Sequence, residues 1–164
     1  MAIKDSFIGE LKHESELTKK ILLRVPLDKK DWKPHEKSTS LGRLATHIAE
    51  THRWIATILG ADEFDFATAS FKPNVASTTE ELISILDKHV NEAIEALSRA
   101  TDEDFEKHWS IKRGGQVIMS PVKKVAVRGW GFSHTYHHRG QLSVYLRLLD
   151  IPVPGMYGPS ADER

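Results

Sequence analysis

The sequence of 164 residues contains no cysteine. This absence excludes disulfide bonds, thiolate metal ligands and a cysteine nucleophile. A metal ion bound by this chain must therefore be held by nitrogen and oxygen atoms.

A surplus of charge of either sign is also missing. The chain has 23 Lys and Arg residues against 23 Asp and Glu residues, and its sequence pI is about 7.1. Proteins that bind phosphate-rich partners usually carry a basic surplus. We therefore expect neither nucleic acid nor an anionic membrane among the partners.

Long hydrophobic runs are absent as well, because charged residues interrupt the apolar stretches every few positions. The first residues, MAIKDSFIGELKHESELTKK, lack the continuous apolar core of a signal peptide. We expect a soluble, cytoplasmic protein. The length suits a single domain spanning residues 1–164, which is large enough to fold without help from a metal.

Apolar residues recur at helical spacing in four segments, and three of them precede residue 100. The first segment ends before Pro26, and the second begins after Ser38 or Ser40 and ends at Gly60. In the third, Ser77 and Glu80 have the spacing of a capping box. The apolar positions of the three segments are Phe7, Leu11, Leu17, Ile21, Leu22 and Val25, then Leu41, Leu44, Ile48, Thr51 and Ile55, then Leu82, Leu86, Val90, Ala93 and Leu97.

The fourth segment, Pro121 to Leu149, is predicted to be the longest helix, with Pro121 as its first residue. A Gly-Gly pair between Trp109 and Met119 indicates a small hairpin or an ordered loop before it. The tail DIPVPGMYGPSADER is expected to lie extended over the helices. Four amphipathic helices without a convincing sheet predict an all-α protein, a four-helix bundle.

Histidines occupy the helix faces that this bundle should turn inward. His134 and His138 lie one turn apart in the stripe of the fourth helix, which contains Val127, Gly131, His134, His138, Gln141 and Tyr145. His47 lies on the inner side of the second helix, and His52 is one position off that side. His137 is turned away from His134, toward the edge of the stripe. Three imidazoles that converge from two helices leave coordination positions open, as in a catalytic metal site.

An ordinary structural explanation stays open for each of these residues. A lone inward histidine is usually a core residue hydrogen-bonded to a carbonyl or carboxylate. Glu50 is placed to orient a ligand or act as a base, and Gln141 to donate to a substrate, yet both also fit plain helix-face positions. Arg139 and Trp130 suit either substrate contact or packing. The isolated histidines are His13, His35, His89 and His108, of which His89 lies near the inner stripe.

Three segments, WKPHEKSTSLGRLATHIAE, HTYHHRGQLSVYLRLL and PVPGMYGPSADE, resemble signature segments of the DinB family, the DNA-damage-inducible-like proteins of the DinB/YfiT superfamily. The resemblance spans about Trp32 to Glu163. It implies a four-helix bundle of up-down-down-up order, commonly a homodimer, with a divalent metal on His47, His134 and His138. These are the three residues that the helical spacing also selects.

The resemblance also implies a class of chemistry, because relatives in the superfamily include metal-dependent transferases and isomerases that use low-molecular-weight thiols. We therefore expect a metal-dependent enzyme that transfers a small thiol, with Zn or Ni as its one divalent ion. The alternatives are a metal-dependent hydrolase and a non-catalytic, metal-binding dimeric protein of a stress response. A fold supports many chemistries, so this implication is an analogy.

Overall fold

The computed structural model describes residues 2–69 and 74–163. These residues form a mostly helical protein with one small sheet. The helices are α1 (Ile3–Leu22), α2 (Leu41–Glu50), α3 (Arg53–Gly60), α4 (Thr79–Arg99), α5 (Asp102–Glu106), α6 (Lys123–Ala126) and α7 (His134–Leu148). A 3₁₀ turn covers Leu27–Lys29, and a π-helical segment, Val127–Ser133, joins α6 to α7. Among the described residues, no helix combines the length and the apolar character needed to span a membrane.

The three predicted apolar stripes before residue 100 face the core, except at Leu17 of the first stripe, which is only half-buried and lies outside the core cluster. On α4 the five predicted residues are the five that are buried, and α4 packs against α1, α2 and α3. Ser40 caps α2 by accepting a hydrogen bond from the backbone of Arg43. The predicted capping box at Ser77 and Glu80 is wrong by one residue: Thr78 caps α4 by accepting from the backbone of Glu81 at 3.1 Å.

The second predicted helix is divided into α2 and α3 by an overwound junction at Thr51 and His52. The backbone N–H groups of Thr51, Trp54 and Ile55 bond to carbonyls three residues earlier, as in a 3₁₀ helix. The fourth predicted helix shows the opposite change, because its π-helical segment is underwound.

The fourth predicted helix also begins two residues later than predicted. Pro121 and Val122 are in extended conformation and pair through the backbone with the stretch Lys107, His108 and Trp109.

The Gly-Gly pair forms a hairpin, which decides between the two predicted alternatives. Strand β2 (Ser110–Arg113) pairs antiparallel with β3 (Gln116–Met119). Gly114 and Gly115 turn the chain with φ angles of 60° and 80°, the positive values of a tight hairpin turn. A third strand, β1 (Glu63–Asp65), pairs parallel with β2, and the apolar pattern gave no sign of it.

The tail lies over α1 and α7 as predicted, but it is extended only in its first residues, because it then folds back so that Asp162 accepts from Val153 N–H and Glu163 from Gly155 N–H. Arg147 of α7 forms a salt bridge with Asp162 at 2.6 Å, and Lys20 of α1 forms one with Glu163 at 2.9 Å. The hydroxyl of Tyr157 lies 2.9 Å from the carboxylate of Glu14. The up-down-down-up order and the single-domain organisation stay predictions.

Helix α3 and the π-helical segment approach each other closely where Ile55 faces Gly131. A β-carbon on Gly131 would lie 3.0 Å from Cδ1 of Ile55 and closer still to its Cγ1. Ile55 is fully buried, so it has no free space to move into. At Gly129, two residues earlier, a β-carbon would meet no atom within 4 Å.

We therefore expect Gly131→Ala to lower the free energy of unfolding by about 1–3 kcal/mol, because overpacking a filled core costs that much. The matched variant Gly129→Ala should be neutral or slightly stabilising, since alanine favours helical backbone over glycine. Urea unfolding of the two variants beside the wild type checks this. Equal stabilities for the two variants would count against the packing argument.

Candidate metal centre

His47, His134 and His138, here called the triad, come together between α2 and α7. One ring nitrogen from each of the three residues lies within 4.8 Å of the others. The Nε2 atoms of His47 and His134 are 3.2 Å apart. Two nitrogens bound to one tetrahedral Zn²⁺ at about 2.0–2.1 Å would lie about 3.3 Å apart. The spacing of the triad therefore fits a single metal ion.

The sequence placed His134 and His138 in an inward stripe, and this prediction holds for the first part of the stripe, where Val127 and Gly131 are buried, and not for α7. The buried residues of α7 are Thr135, Arg139, Leu142 and Leu146. His134 and His138 flank that buried face and stay half-buried, as does His47, while Gln141 is exposed. A strict α-helical spacing could not foresee this, because the π-helical segment changes the rotation per residue just before His134. The triad is consequently accessible from solvent.

All three imidazoles of the triad are neutral near pH 7. Burial is the main cause that lowers the pKa of His47 to about 4, and the neighbouring His138 and His134 lower it further. The pKa of His134 is lowered to about 4, again chiefly by burial and then by His138 and His137. Burial also lowers the pKa of His138. A neutral imidazole keeps a lone pair, which is the form that binds a metal.

Gln141 orients one member of the triad. The Nδ1 atom of His138 lies 2.8 Å from Oε1 of Gln141, and because the amide oxygen only accepts, the imidazole must donate. This bond fixes the tautomer in which Nε2 of His138 carries the lone pair. The structure thus gives Gln141 a contact with a predicted ligand, whereas its predicted role as a donor to substrate stays a prediction.

His134 has one buried ring nitrogen, Nδ1, without a hydrogen-bond partner among the described residues. Burying a polar nitrogen without a partner costs free energy. A metal on Nε2 would leave Nδ1 without a partner, so the fit of the site rests on the spacing and the neutral form of the three imidazoles. The half-buried, neutral donor set therefore fits a divalent cation.

Charged residues surround the triad on α2 and at the start of α3. Glu50 is buried, and its Oε2 lies 3.2 Å from a guanidinium nitrogen of Arg43. Arg43 and Arg53 both lower the pKa of His47, so each lies close enough to act on the centre. The structure thus shows Glu50 in a salt bridge with Arg43; its predicted role as a base stays a prediction.

Behind the triad, the overwound α2–α3 junction and the π-helical segment are joined by three side chains. Nδ1 of His52 lies 3.2 Å from the carbonyl of Gly131. Thr135 donates to that same carbonyl at 3.0 Å and contacts the hydroxyl of Thr51 at 2.7 Å. Thr135 follows His134 directly, so these bonds hold the helix that carries His134 against the helix that carries His47. We call this set of contacts the interlock.

His52 was predicted to lie one position off the inner face, and in the structure it is fully buried. The junction at Thr51 and His52 rotates this residue into the core. Burial lowers its pKa to about 4, and the bond to Gly131 opposes only part of that shift. The sequence offered no signal for this role beyond the histidine itself.

His52 should make stability depend on pH. Its pKa is lower in the folded protein than the usual value of 6.5, so the unfolded chain binds the proton first as the pH falls. The neutral His52 stabilises the fold above about pH 6.5, and this contribution is lost as the pH falls toward 4. By pH 5 the loss should reach about 2 kcal/mol.

The check is urea unfolding of the metal-stripped protein at pH 7.5 and at pH 5. His52→Asn keeps a donor for the Gly131 carbonyl and cannot titrate, so it should lose about 2 kcal/mol less than the wild type between the two values. His13→Gln, at an exposed position, should behave as the wild type does. An unchanged pH dependence in His52→Asn would contradict the assignment.

The other histidines do not belong to the triad. His137 is exposed, and its ring contacts that of His138 with 4.9 Å between centroids, but it is not part of the cluster of converging nitrogens. His13, His35 and His108 are exposed. His89 is half-buried and pairs with Glu92 at 2.9 Å.

Arg139 and Trp130, which suited either substrate contact or packing, have different surroundings. The guanidinium of Arg139 is buried and bonds to Glu14 of α1 at 2.6 Å, so Arg139 packs. Trp130 is half-buried and lines a cavity together with Gly129 and His134. Trp130 is therefore adjacent to the triad.

The mostly helical fold and the three imidazoles that converge from two helices define the class of this protein. It is a helical protein with a candidate three-histidine metal centre. The DinB family model matches residues 3–164. The chain belongs to the DinB family.

Similar proteins agree with this assignment. The chain is 23% identical to YrdA of Bacillus subtilis (strain 168), described as an uncharacterized protein, with 97% of this chain and 90% of YrdA covered. A crystal structure of a DinB-like protein from Bacillus cereus shares the fold with a TM-score of 0.72, at 22% identity and with 95% and 98% of the two chains covered. A DinB-like protein from Bacillus subtilis, YjoA, gives a TM-score of 0.69 at 15% identity, covering 97% of this chain and 99% of its own.

Proposed function

We propose that this protein is a metal-dependent thiol S-transferase that binds one divalent ion, Zn or Ni, on the triad. The sulfur of a small thiol attacks a carbon electrophile: the thiol loses its proton, a carbon–sulfur bond forms, and the leaving group departs with its electron pair. The observation that carries the proposal is the cluster of three neutral imidazoles within 4.8 Å of one another. Three nitrogen ligands leave at least one position of a tetrahedral ion open to a small molecule.

The chemistry that a bound divalent ion supplies here is a lower pKa for a coordinating thiol, which becomes the nucleophilic thiolate. The surrounding residues favour that ionisation. Arg53 and Arg43, the latter in its salt bridge to Glu50, place positive charge near His47, and positive charge stabilises a thiolate. Gln141 holds His138 in the tautomer that coordinates.

We propose that Glu50 acts as the base of the reaction. Its bond to Arg43 holds the carboxylate at a fixed place on α2. In that position Glu50 can accept the proton that the incoming thiol loses, directly or through one water molecule. Gln141 is proposed as the second residue near the substrate.

Metal analysis followed by a thiol titration tests this function. Tag-free protein should contain about one Zn or Ni per chain. After the metal is exchanged for Co²⁺, a small thiol such as 2-mercaptoethanol should produce a thiolate-to-cobalt charge-transfer band in the near ultraviolet, and a wild-type assay with a soluble electrophile should show metal-dependent thioether formation.

Different outcomes separate the alternatives. If the protein hydrolyses a model ester or amide in a reaction that requires the metal but no thiol, the hydrolase alternative is favoured over S-transfer. Metal that is bound without a thiolate band and without turnover would favour the non-catalytic, metal-binding stress-response protein. Protein that binds no divalent ion would contradict all three.

We further propose that the protein is cytoplasmic and that its bundle has the up-down-down-up order.

We also propose that the protein is a homodimer. Val144 and Leu148 are exposed one turn apart on α7, with 57% and 58% of their surface accessible, and an apolar pair of this kind suits a symmetric helix–helix contact. Light scattering across a range of concentrations should report twice the chain mass of 18.5 kDa. A monomer throughout would contradict the dimer.

A further inference from the structure

The cavity beside His134 has features that select a ligand. It has a volume of about 370 Å³ and is lined by Gly129, Trp130 and His134. This volume lies within the range of small-molecule sites, which is about 300–1,000 Å³. One wall of the cavity is a member of the triad, so a molecule held there lies next to the centre.

The π-helical segment creates this arrangement. It spans Val127–Ser133 and is wound more loosely than an α-helix, since its bonds join residues five apart instead of four. Gly129 and Trp130 therefore come onto the same side as His134, which follows them by five and four positions. A segment of this type often marks a functional site.

Gly129 and Trp130 give the cavity its shape. A β-carbon at Gly129 would meet no atom within 4 Å, so the missing side chain leaves open space rather than a close packing contact. The ring of Trp130 packs edge to face against the buried Trp109, with 5.9 Å between the ring centroids, and this contact restricts its orientation. An aromatic ring held beside open backbone forms a slot that suits a flat apolar group.

The lining of the cavity decides which flat group fits. A tryptophan face also attracts cations, but among the described residues the lining of the cavity includes no carboxylate that would hold a cation. A neutral ring is therefore the favoured occupant.

We propose that the cavity formed by Gly129, Trp130 and His134 binds an aromatic or similarly flat apolar group of the substrate, so that the preferred thiol carries such a group one or two bonds from its sulfur. This inference rests on the proposed function for the sulfur and on the cavity for the ring. Two arms of one experiment separate these parts.

The first arm titrates the Co²⁺-loaded protein with two alkyl thiols of similar acidity, phenylmethanethiol and 2-mercaptoethanol, and follows the charge-transfer band. The wild type should bind phenylmethanethiol about tenfold more tightly, which is the effect expected of one well-placed aromatic contact. Gly129→Leu should fill the cavity and abolish the preference while 2-mercaptoethanol still binds. Gly9→Leu, at another helical glycine with no atom within 4 Å of its β-carbon, should keep the preference.

The second arm uses metal-free protein and benzyl alcohol, which has the ring but no sulfur. The indole N–H signal of Trp130 should shift in the nuclear magnetic resonance spectrum of the wild type and stay in place in Gly129→Leu. Trp130→Ala serves as a second variant, and it should lose the tenfold preference in the first arm.

The outcomes are distinct. Equal affinity of the wild type for the two thiols, or a preference that persists in both Gly129→Leu and Trp130→Ala, would overturn the inference. An unmoved Trp130 signal in the wild type would overturn it as well. A moved Trp130 signal without a thiolate band for either thiol would support the cavity and contradict the proposed function.

Discussion

Alanine at His47, at His134 or at His138 should reduce the affinity for the divalent ion by more than about a hundredfold. Losing an outer partner of a metal ligand typically costs 10- to 100-fold, and losing a ligand itself costs more. His137→Ala should keep the metal, because His137 is exposed on another face of α7. Bound metal per chain in the four tag-free variants, measured after dialysis against a weak chelator, gives the answer.

The fold should survive these changes. The core consists of apolar residues from all the long helices, so the chain does not depend on a metal for its structure in the way that a zinc finger does. Circular dichroism of each variant should match the wild type. Full occupancy in His47→Ala, or loss of metal confined to His137→Ala, would show that the triad is assigned wrongly.

The buried pair of Arg139 and Glu14 should give the largest change in stability. Both residues are at least 95% buried, and Arg139 also bonds to the backbone carbonyl of Glu14 and to the hydroxyl of Thr18. Removing one partner leaves the other as an uncompensated buried charge, which costs about 3–5 kcal/mol. Glu14→Leu and Arg139→Met should each lower the free energy of unfolding by that amount.

A double-mutant cycle in urea tests this pair on metal-stripped protein. The double variant should be destabilised by much less than the sum of the two single variants, because it leaves no isolated charge. Arg147→Met is a matched control on the same helix, since its salt bridge to Asp162 is exposed, and it should cost less than about 1 kcal/mol. Additive losses in the double variant would contradict the account of the pair.

Local patterns predicted the regular parts of the fold. The five apolar residues of α4 recur at helical spacing, and all five are buried. The Gly-Gly pair predicted a turn, and Gly114 and Gly115 have the positive φ values that such a turn needs. The neighbouring strand β1 escaped prediction because it is three residues long and pairs with a strand more than 40 positions away.

The triad could be predicted because its members keep a simple helical spacing and resemble a family pattern. Its surroundings could not, since they depend on long-range contacts and on departures from regular helix. The interlock joins Thr51 to Thr135, which are 84 positions apart, and Arg139 meets Glu14 across 125 positions. The π-helical segment shifts the face of α7, so the predicted inward stripe became the flank of the buried face.

X-ray absorption at the edge of the metal bound to tag-free wild-type protein tests the central claim most directly. The account predicts three imidazole nitrogens at about 2.0–2.1 Å, as is usual for zinc, together with at least one further light atom that does not belong to an imidazole. A small thiol should replace that atom with sulfur. A shell with fewer than three imidazoles, or one closed by four protein ligands that no thiol displaces, would contradict it.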